Sequence, residues 1–341
     1  RMRWHYEDGF LMHAVAQVGQ RTGQPRYGQA VLEYVDRFVQ EDGSIATYWL
    51  ADYNLDQIAP GRLLFPLHEA GGDARFGQAL ALLREQLARQ PRTRAGGFWH
   101  KLIYPYQMWL DGIYMAGPFY AQYAAAFGDV AAFDDAVHQI VTLEQHARDP
   151  ETGLLYHAWD ESCQQRWAAP GTGCSPHFWG RAIGWYGMGI VDVLDVLPPD
   201  HPQRPALIGI LQRALDAVYA VRDPDCGLWR QVLDQGGRPG NYLEASAACM
   251  YIYSMAKGVR QGYLPAAWLA VARASFGQVL AHFIHVDPAG HVSLHWTCGA
   301  AGLGGTPYRD GSYEYYVTER VVTNDPKGIA AFILAALELG R

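Results

Sequence analysis

Apolar residues recur with helical spacing along most of this chain, and the polar breaks between the periodic runs fall at turns rich in glycine and aspartate. Reading from one break to the next predicts helices near 5–20, 27–40, 57–70, 75–89, 107–127, 131–147, 178–196, 203–220, 244–261, 265–284 and 327–339. Two kinds of break alternate. One is a glycine turn that opens an amphipathic helix: Thr22-Gly23-Gln24-Pro25-Arg26-Tyr27-Gly28-Gln29-Ala30-Val31 is nearly repeated by Gly71-Gly72-Asp73-Ala74-Arg75-Phe76-Gly77-Gln78-Ala79-Leu80, with looser versions at Phe127-Gly128-Asp129 and Gly262-Tyr263-Leu264. The other reads as a turn or short hairpin after the second helix of each pair. It runs Asp149-Pro150-Glu151-Thr152-Gly153-Leu154 and again Asp223-Pro224-Asp225-Cys226-Gly227-Leu228, with echoes at Asp42-Gly43 and Asp287-Pro288-Ala289-Gly290. Alternation at intervals of roughly 50 to 75 residues marks a repeat architecture rather than separate domains. The expected fold is all-α: one domain over 1–341, an (α/α)6 barrel or six-hairpin toroid in which one helix of each pair lines the interior. Eleven helices leave one partner unaccounted for, and the expected reason is a first N-terminal helix lacking from this chain, which starts at Arg1 rather than Met.

Inner helices of such a ring open at one mouth. The alternate segments read Arg3-Trp4-His5-Tyr6, Asn54-Leu55-Asp56-Gln57, Met108-Trp109-Leu110-Asp111, Phe178-Trp179-Gly180-Arg181 with Trp185, Asn241-Tyr242-Leu243-Glu244 and Asn324-Asp325-Pro326-Lys327. Nearly every residue able to do polar chemistry or stack on a ring falls in this set, whereas the intervening helices open on ordinary surface sequence. Asp111 is the most telling member, a lone carboxyl in the run Trp109-Leu110-Asp111-Gly112-Ile113-Tyr114. A charge there is unfavourable unless paired, hydrated or protonated, and a carboxyl in an apolar, tryptophan-lined site is one way a protein keeps a proton donor loaded near neutral pH. The plainer alternative is a helix-terminal aspartate, and for Asp56 an N-terminal residue complementing the helix dipole. Arg181, between Trp179 and Trp185, reads as a carboxylate clamp in a sugar site against the alternative of an ordinary ion pair. His100 and His157 sit in tryptophan-rich loops, which weighs a binding role evenly against that of core histidines. Asp160 ranks below Asp56 because Glu161 and Ser162 suggest a wetter loop, and Glu244 and Asp325 are expected to tie helix ends together.

Composition narrows the chemistry. Thirteen per cent aromatic residues, with 11 Trp and 21 Tyr, suits a cleft that stacks on rings. A net charge of -7 argues against nucleic acid as a partner, since no basic field is available to displace phosphate counterions, while a few local cations still suit a small anionic substrate. No apolar run reaches the ~18 residues of a membrane span, so no membrane partner is expected. The five cysteines are scattered without metal-ligand spacing, which favours reduced thiols and the cytoplasm. HExxH, Walker A and GxSxG patterns are absent from the sequence, so neither a metal nor a cofactor is expected. Nothing in the sequence sets an oligomeric state.

Taken together, Arg3-Trp4-His5-Tyr6, Gly96-Gly97-Phe98-Trp99-His100-Lys101, Tyr104-Pro105-Tyr106-Gln107-Met108-Trp109-Leu110-Asp111-Gly112, Tyr156-His157-Ala158-Trp159-Asp160-Glu161, Gly173-Cys174-Ser175-Pro176 running into Phe178-Trp179 and Arg181, and Thr323-Asn324-Asp325 resemble the unsaturated rhamnogalacturonyl hydrolases of glycoside hydrolase family 105, related to family 88. The likeness runs end to end and implies the (α/α)6 barrel independently of the helix count. It implies Asp111 as general acid and base, Asp56 as its essential carboxylate partner, and Tyr6, His100, Trp109, His157, Trp179, Arg181 and Trp185 as the lining of a subsite for an unsaturated uronic acid. The implied substrate is a small anionic unsaturated oligosaccharide, a 4,5-unsaturated galacturonyl unit linked to rhamnose. Within the same chemistry, an unsaturated glucuronyl hydrolase is the alternative. From other classes, a sugar epimerase of this barrel type would conserve mass where a hydratase adds water, and a non-catalytic sugar-binding toroid would leave Asp111 and Asp56 without a role.

Overall fold

The computed structural model describes residues 2–341. Its long helices are α1 (Tyr6–Thr22), α2 (Pro25–Phe38), α4 (Ala74–Arg89), α5 (Asp111–Phe127), α6 (Val130–Ala147), α7 (Gly180–Leu194), α8 (Arg204–Ala220), α9 (Ala245–Arg260), α10 (Ala267–Phe283) and α12 (Pro326–Leu339). Shorter ones are α3 (Leu64–Glu69) and α11 (Tyr313–Thr318). The inner ring runs from α1 to the 3-10 turn Ala59–Leu63 and α3, then α5, α7, α9 and α12, which closes on α1. Helices α2, α4, α6, α8 and α10 back five of these six positions. Among the described residues no helix backs the seam between α12 and α1, and Leu11 and Val15 of α1 and Ile333 of α12 stay partly exposed.

Sequence explains the two layers. Helix α2 buries Val31, Tyr34, Val35 and Phe38, one stripe at helical spacing, as an outer helix must. Helix α7 is buried on every side, from Gly180 to Leu194, and carries small residues where neighbours come close. A Cβ on Gly189 would sit 3.0 Å from the Tyr114 backbone nitrogen, so a larger residue there would push α5 away. The Asp-x-x-Gly turns close as expected, with Gly153 and Gly227 at φ of 72°, a conformation that favours glycine. They hand the chain from the end of an outer helix to the mouth.

Two expected helices differ. The segment 57–70 is broken into the turns Leu55–Gln57 and Ala59–Leu63 before α3, because Pro60 and Pro66 remove backbone donors. The segment 107–127 starts with strand β1 (Gln107–Trp109), so α5 begins at Asp111 itself. Strand β1 pairs antiparallel with β2 (Ala158–Asp160), and two further two-stranded pieces, β3 (Ile284–Val286) with β4 (Val292–Leu294) and β5 (Thr297–Cys298) with β6 (Val321–Val322), follow α10.

Candidate active site

Pairing of β1 with β2 builds the centre of the mouth. It sets Trp109 opposite Ala158, and the Leu110 N–H donates to the His157 carbonyl at 3.0 Å, which locks two aromatic loops together at the start of α5. Trp109 is then faced by His100 at 4.8 Å on a nearly parallel ring and by Tyr104 at 4.8 Å, with His157 edge-on at 5.3 Å. Asp111 projects beside this cluster. Its Oδ2 is 3.2 Å from His157 Nε2, a close contact that is not aligned as a hydrogen bond. The Asp111 side chain keeps 13% of its surface open, against none for His157. On its far side, His157 Nδ1 lies 2.8 Å from the Tyr316 hydroxyl. Burial pushes the His157 pKa down, outweighing the pull of Asp111, so the imidazole is neutral at pH 7.

Asp56 is held differently. Asn54 accepts a hydrogen bond from the Asp56 N–H, and the Leu55 N–H donates to the His100 carbonyl at 3.1 Å, so the turn is fastened to the neighbouring loop. The Asp56 carboxylate lies 2.6 Å from Lys101 Nζ, 3.2 Å from His100 Nε2 and 3.6 Å from His5 Nε2. Burial alone would raise its pKa; Lys101 and then the two histidines outweigh that and hold it well below the usual carboxylate range. The mouth therefore presents one permanently ionised carboxylate and one carboxyl whose close neighbours are neutral or aromatic.

The other expected residues form the surrounding wall. Trp179 packs on His157 at 4.7 Å, while Trp185 is enclosed by Tyr6, Phe10 and Tyr114 at 6.0, 4.8 and 4.8 Å. Arg181 is 1% exposed and lies over the Trp179 ring. Its guanidinium donates to the Cys298 carbonyl at 2.5 Å, the Gly299 carbonyl at 3.3 Å and Ser246 Oγ at 3.3 Å, with Glu244 3.8 Å away. Among the described residues its Nε is left without a partner while its terminal nitrogens are taken up, so Arg181 offers the mouth a charge more than a hydrogen-bonding fork.

The remaining carboxylates are structural. Asp160 is fully buried rather than wet, and it accepts from the Ser162, Gln164 and Gln165 N–H groups and from Ser162 Oγ, which shapes its own loop. Glu244 caps α9 and Asp325 caps α12. Among the described residues, no group of three or more His, Cys, Asp or Glu side chains is placed to hold a metal ion. A cavity of about 740 Å³ lies at the opposite end of the barrel, lined by residues such as Gln17, Phe65 and Ala126.

Sequence reasoning passed over Lys101 and His5, although both adjoin residues it did select, and it had no route to Tyr316, Tyr104 or Arg309. Arg309 donates to the Tyr104 hydroxyl at 2.8 Å and so fastens the segment before α11 to the Trp109 cluster. The aromatic run Tyr313-Glu314-Tyr315-Tyr316 was the only signal there.

Comparison with known proteins follows the same lines. The family model described as Glycosyl Hydrolase Family 88 matches residues 1–341. The unsaturated rhamnogalacturonyl hydrolase YesR of Bacillus subtilis (strain 168) is 29% identical over 251 residues, covering 72% of this chain and 68% of that protein. A solved structure of a family 105 glycoside hydrolase from C. acetobutylicum ATCC 824 superposes with a TM-score of 0.97 at 44% identity, covering 99% of this chain and 94% of that one. The unsaturated glucuronyl hydrolase of Bacillus sp. GL1 shares the fold at a TM-score of 0.71 and 15% identity, covering 98% and 86% of the two chains.

Proposed function

Because this chain belongs to glycosyl hydrolase family 88 and acts as an unsaturated glycosyl hydrolase of that type, we propose that its substrate is unsaturated rhamnogalacturonan disaccharide and that Asp111 is its proton donor. The observation that carries the role of Asp111 is the contrast between the two carboxyl groups of the mouth. Asp56 is tied to a lysine and two histidines, whereas Asp111 has solvent access and, among the described residues, pairs closely with neutral His157 alone. Two carboxyl groups in one site with unlike surroundings are suited to unlike roles.

The 4,5-unsaturated ring contains an enol ether. The π pair of C4=C5 takes the proton of the Asp111 carboxyl to form a C4–H bond, leaving the O–H pair on Asp111 and a cation at C5 shared with the ring oxygen. Water adds at C5 as Asp111 takes a proton back; the hemiketal opens by breaking its C5–ring-oxygen bond to give a C5 ketone, and the hemiacetal this leaves at C1 collapses to an aldehyde and releases rhamnose. Asp56, anionic throughout, stabilises the developing positive charge and orients the water. Lys101 and Arg181 supply the positive field for the uronate carboxylate. Trp109, Trp179 and Trp185, with Tyr6 and His100, define the shape that receives the flat ring.

Mixing the protein with unsaturated rhamnogalacturonan disaccharide should remove the ultraviolet absorbance of the conjugated double bond and release free rhamnose in equal amount. Retained absorbance with this disaccharide, alongside loss with an unsaturated glucuronyl disaccharide, would reassign the second sugar.

A further inference from the structure

Tyr316 comes to the site from α11, far along the chain from His157, and its ring is fully buried against Trp179 at 6.1 Å. Its hydroxyl is 2.8 Å from His157 Nδ1 and has no other hydrogen-bond partner among the described residues. The segment is built to hold that position. Ser312 caps α11, the Tyr316 carbonyl accepts from Gln231 Nε2 at 3.0 Å, and Gln231 Oε1 accepts from Trp179 Nε1 at 3.2 Å. A ring fixed this firmly has one place to send its hydroxyl hydrogen.

Counting donors places the protons. A neutral imidazole carries one N–H. With that hydrogen on Nδ1, the phenol would accept it and leave its own hydrogen buried without an acceptor, while Nε2 would turn a lone pair toward Asp111. With the phenol donating to Nδ1, the buried hydroxyl hydrogen gains its acceptor and the single imidazole hydrogen moves to Nε2, the nitrogen that lies 3.2 Å from Asp111 Oδ2 in a bent contact. We propose that Tyr316 is a positioning residue: its hydroxyl holds His157 as the Nε2–H tautomer, so that Asp111 Oδ2 is kept as an acceptor and the transferable proton rides on Asp111 Oδ1. This rests on the reading of Asp111 as proton donor; the tautomer itself does not. In the transfer, the Oδ1–H bond breaks as the C4–H bond forms, and the proton returned from water goes back to Oδ1.

Tyr316→Phe deletes the hydroxyl and keeps the ring on Trp179. Nitrogen NMR of protein labelled at histidine, with the His157 signals identified by their loss in His157→Gln, reads the tautomer without substrate. The wild type should show Nε2–H and Tyr316→Phe a mixture with Nδ1–H; the same tautomer in both would overturn the proposal. In turnover, Tyr316→Phe should lower kcat by about 10- to 100-fold with KM little changed. That loss should vanish in a His157→Ala background, and an equal loss in both backgrounds would overturn the proposal by showing that Tyr316 does not act through His157. A wild-type protein inert toward the disaccharide would defeat the proposed function, while the NMR result would still decide the role of Tyr316.

Discussion

The two ends of the barrel bury the same residue type and treat it in opposite ways. At the far end, where the inner helices finish, Asp192 is met by Lys257 Nζ at 2.6 Å, the Tyr253 hydroxyl at 2.7 Å and Arg62 Nη1 at 2.9 Å. Lys257 also reaches Asp195 at 2.5 Å, and Arg260 pairs with Glu338 at 2.6 Å. The Asp192 side chain is 1% exposed, and although burial would raise its pKa, Lys257 and Arg62 hold it low. Lysine and arginine near helix C-termini also complement the helix dipoles. At the mouth, Asp111 has none of this: among the described residues it meets no cation, makes one bent contact to a neutral histidine, and opens to solvent. Saturated pairing closes one end of the ring, whereas the lack of such a partner at Asp111 suits the proton transfer proposed for it. A buried aspartate is thus informative through what it lacks.

The contrast can be broken most directly by making the same substitution at both ends. Asp111→Asn should lower kcat by about 10³-fold or more while leaving the melting temperature near that of the wild type, because no aligned hydrogen bond to its side chain is lost. Asp192→Asn should do the reverse: it leaves Arg62 and Lys257 without their buried counter-charge and destabilises by roughly 3–5 kcal/mol in denaturant titration, with kcat of the folded fraction within about twofold. Comparable kcat losses at the two ends would erase the functional distinction.

Lys257→Met tests the far end from its cationic side. It should destabilise by about 2–4 kcal/mol, partly offset because Arg62 still faces Asp192. A neutral result would mean that the far-end network does not close the ring energetically.

Asp56 gives the smallest but most diagnostic effect, through pH. Its folded pKa lies well below its ordinary value of 3.8, so its contribution to stability is fully present above about pH 4 and is lost as pH falls through the depressed folded value. Lys101→Met removes the first of the cations that depress it, so acid unfolding should begin at higher pH, with a loss of about 1–2 kcal/mol near neutrality. An unchanged acid limb would show that the histidines alone hold Asp56 ionised.

Much of the fold was legible because it repeats. Glycine turns and Asp-x-x-Gly hairpins punctuate helices whose apolar spacing is strong, and most observed boundaries fall within two residues of those expected. The failures have local causes. Pro60 and Pro66 broke a segment whose apolar spacing still looked helical, and β1 formed because Gln107 to Trp109 found a partner strand in another loop, which periodicity cannot see. Candidate residues were legible where they sit at the start of an inner helix, as with Asp111 and Arg181. It was illegible for Tyr316, whose role exists only because α11 folds back over His157.

By itself the sequence determined the all-helical repeat, the mouth where the inner helices begin, and the family, since each is written in local spacing and in motifs read along the chain. Tertiary structure alone decided how each polar group is satisfied. It turned Arg181 toward backbone carbonyls, gave Asp56 its lysine and histidines, saturated Asp192, and set Tyr316 behind His157. Hydrogen bonding and desolvation depend on neighbours distant in sequence, and those are assigned only when the ring closes.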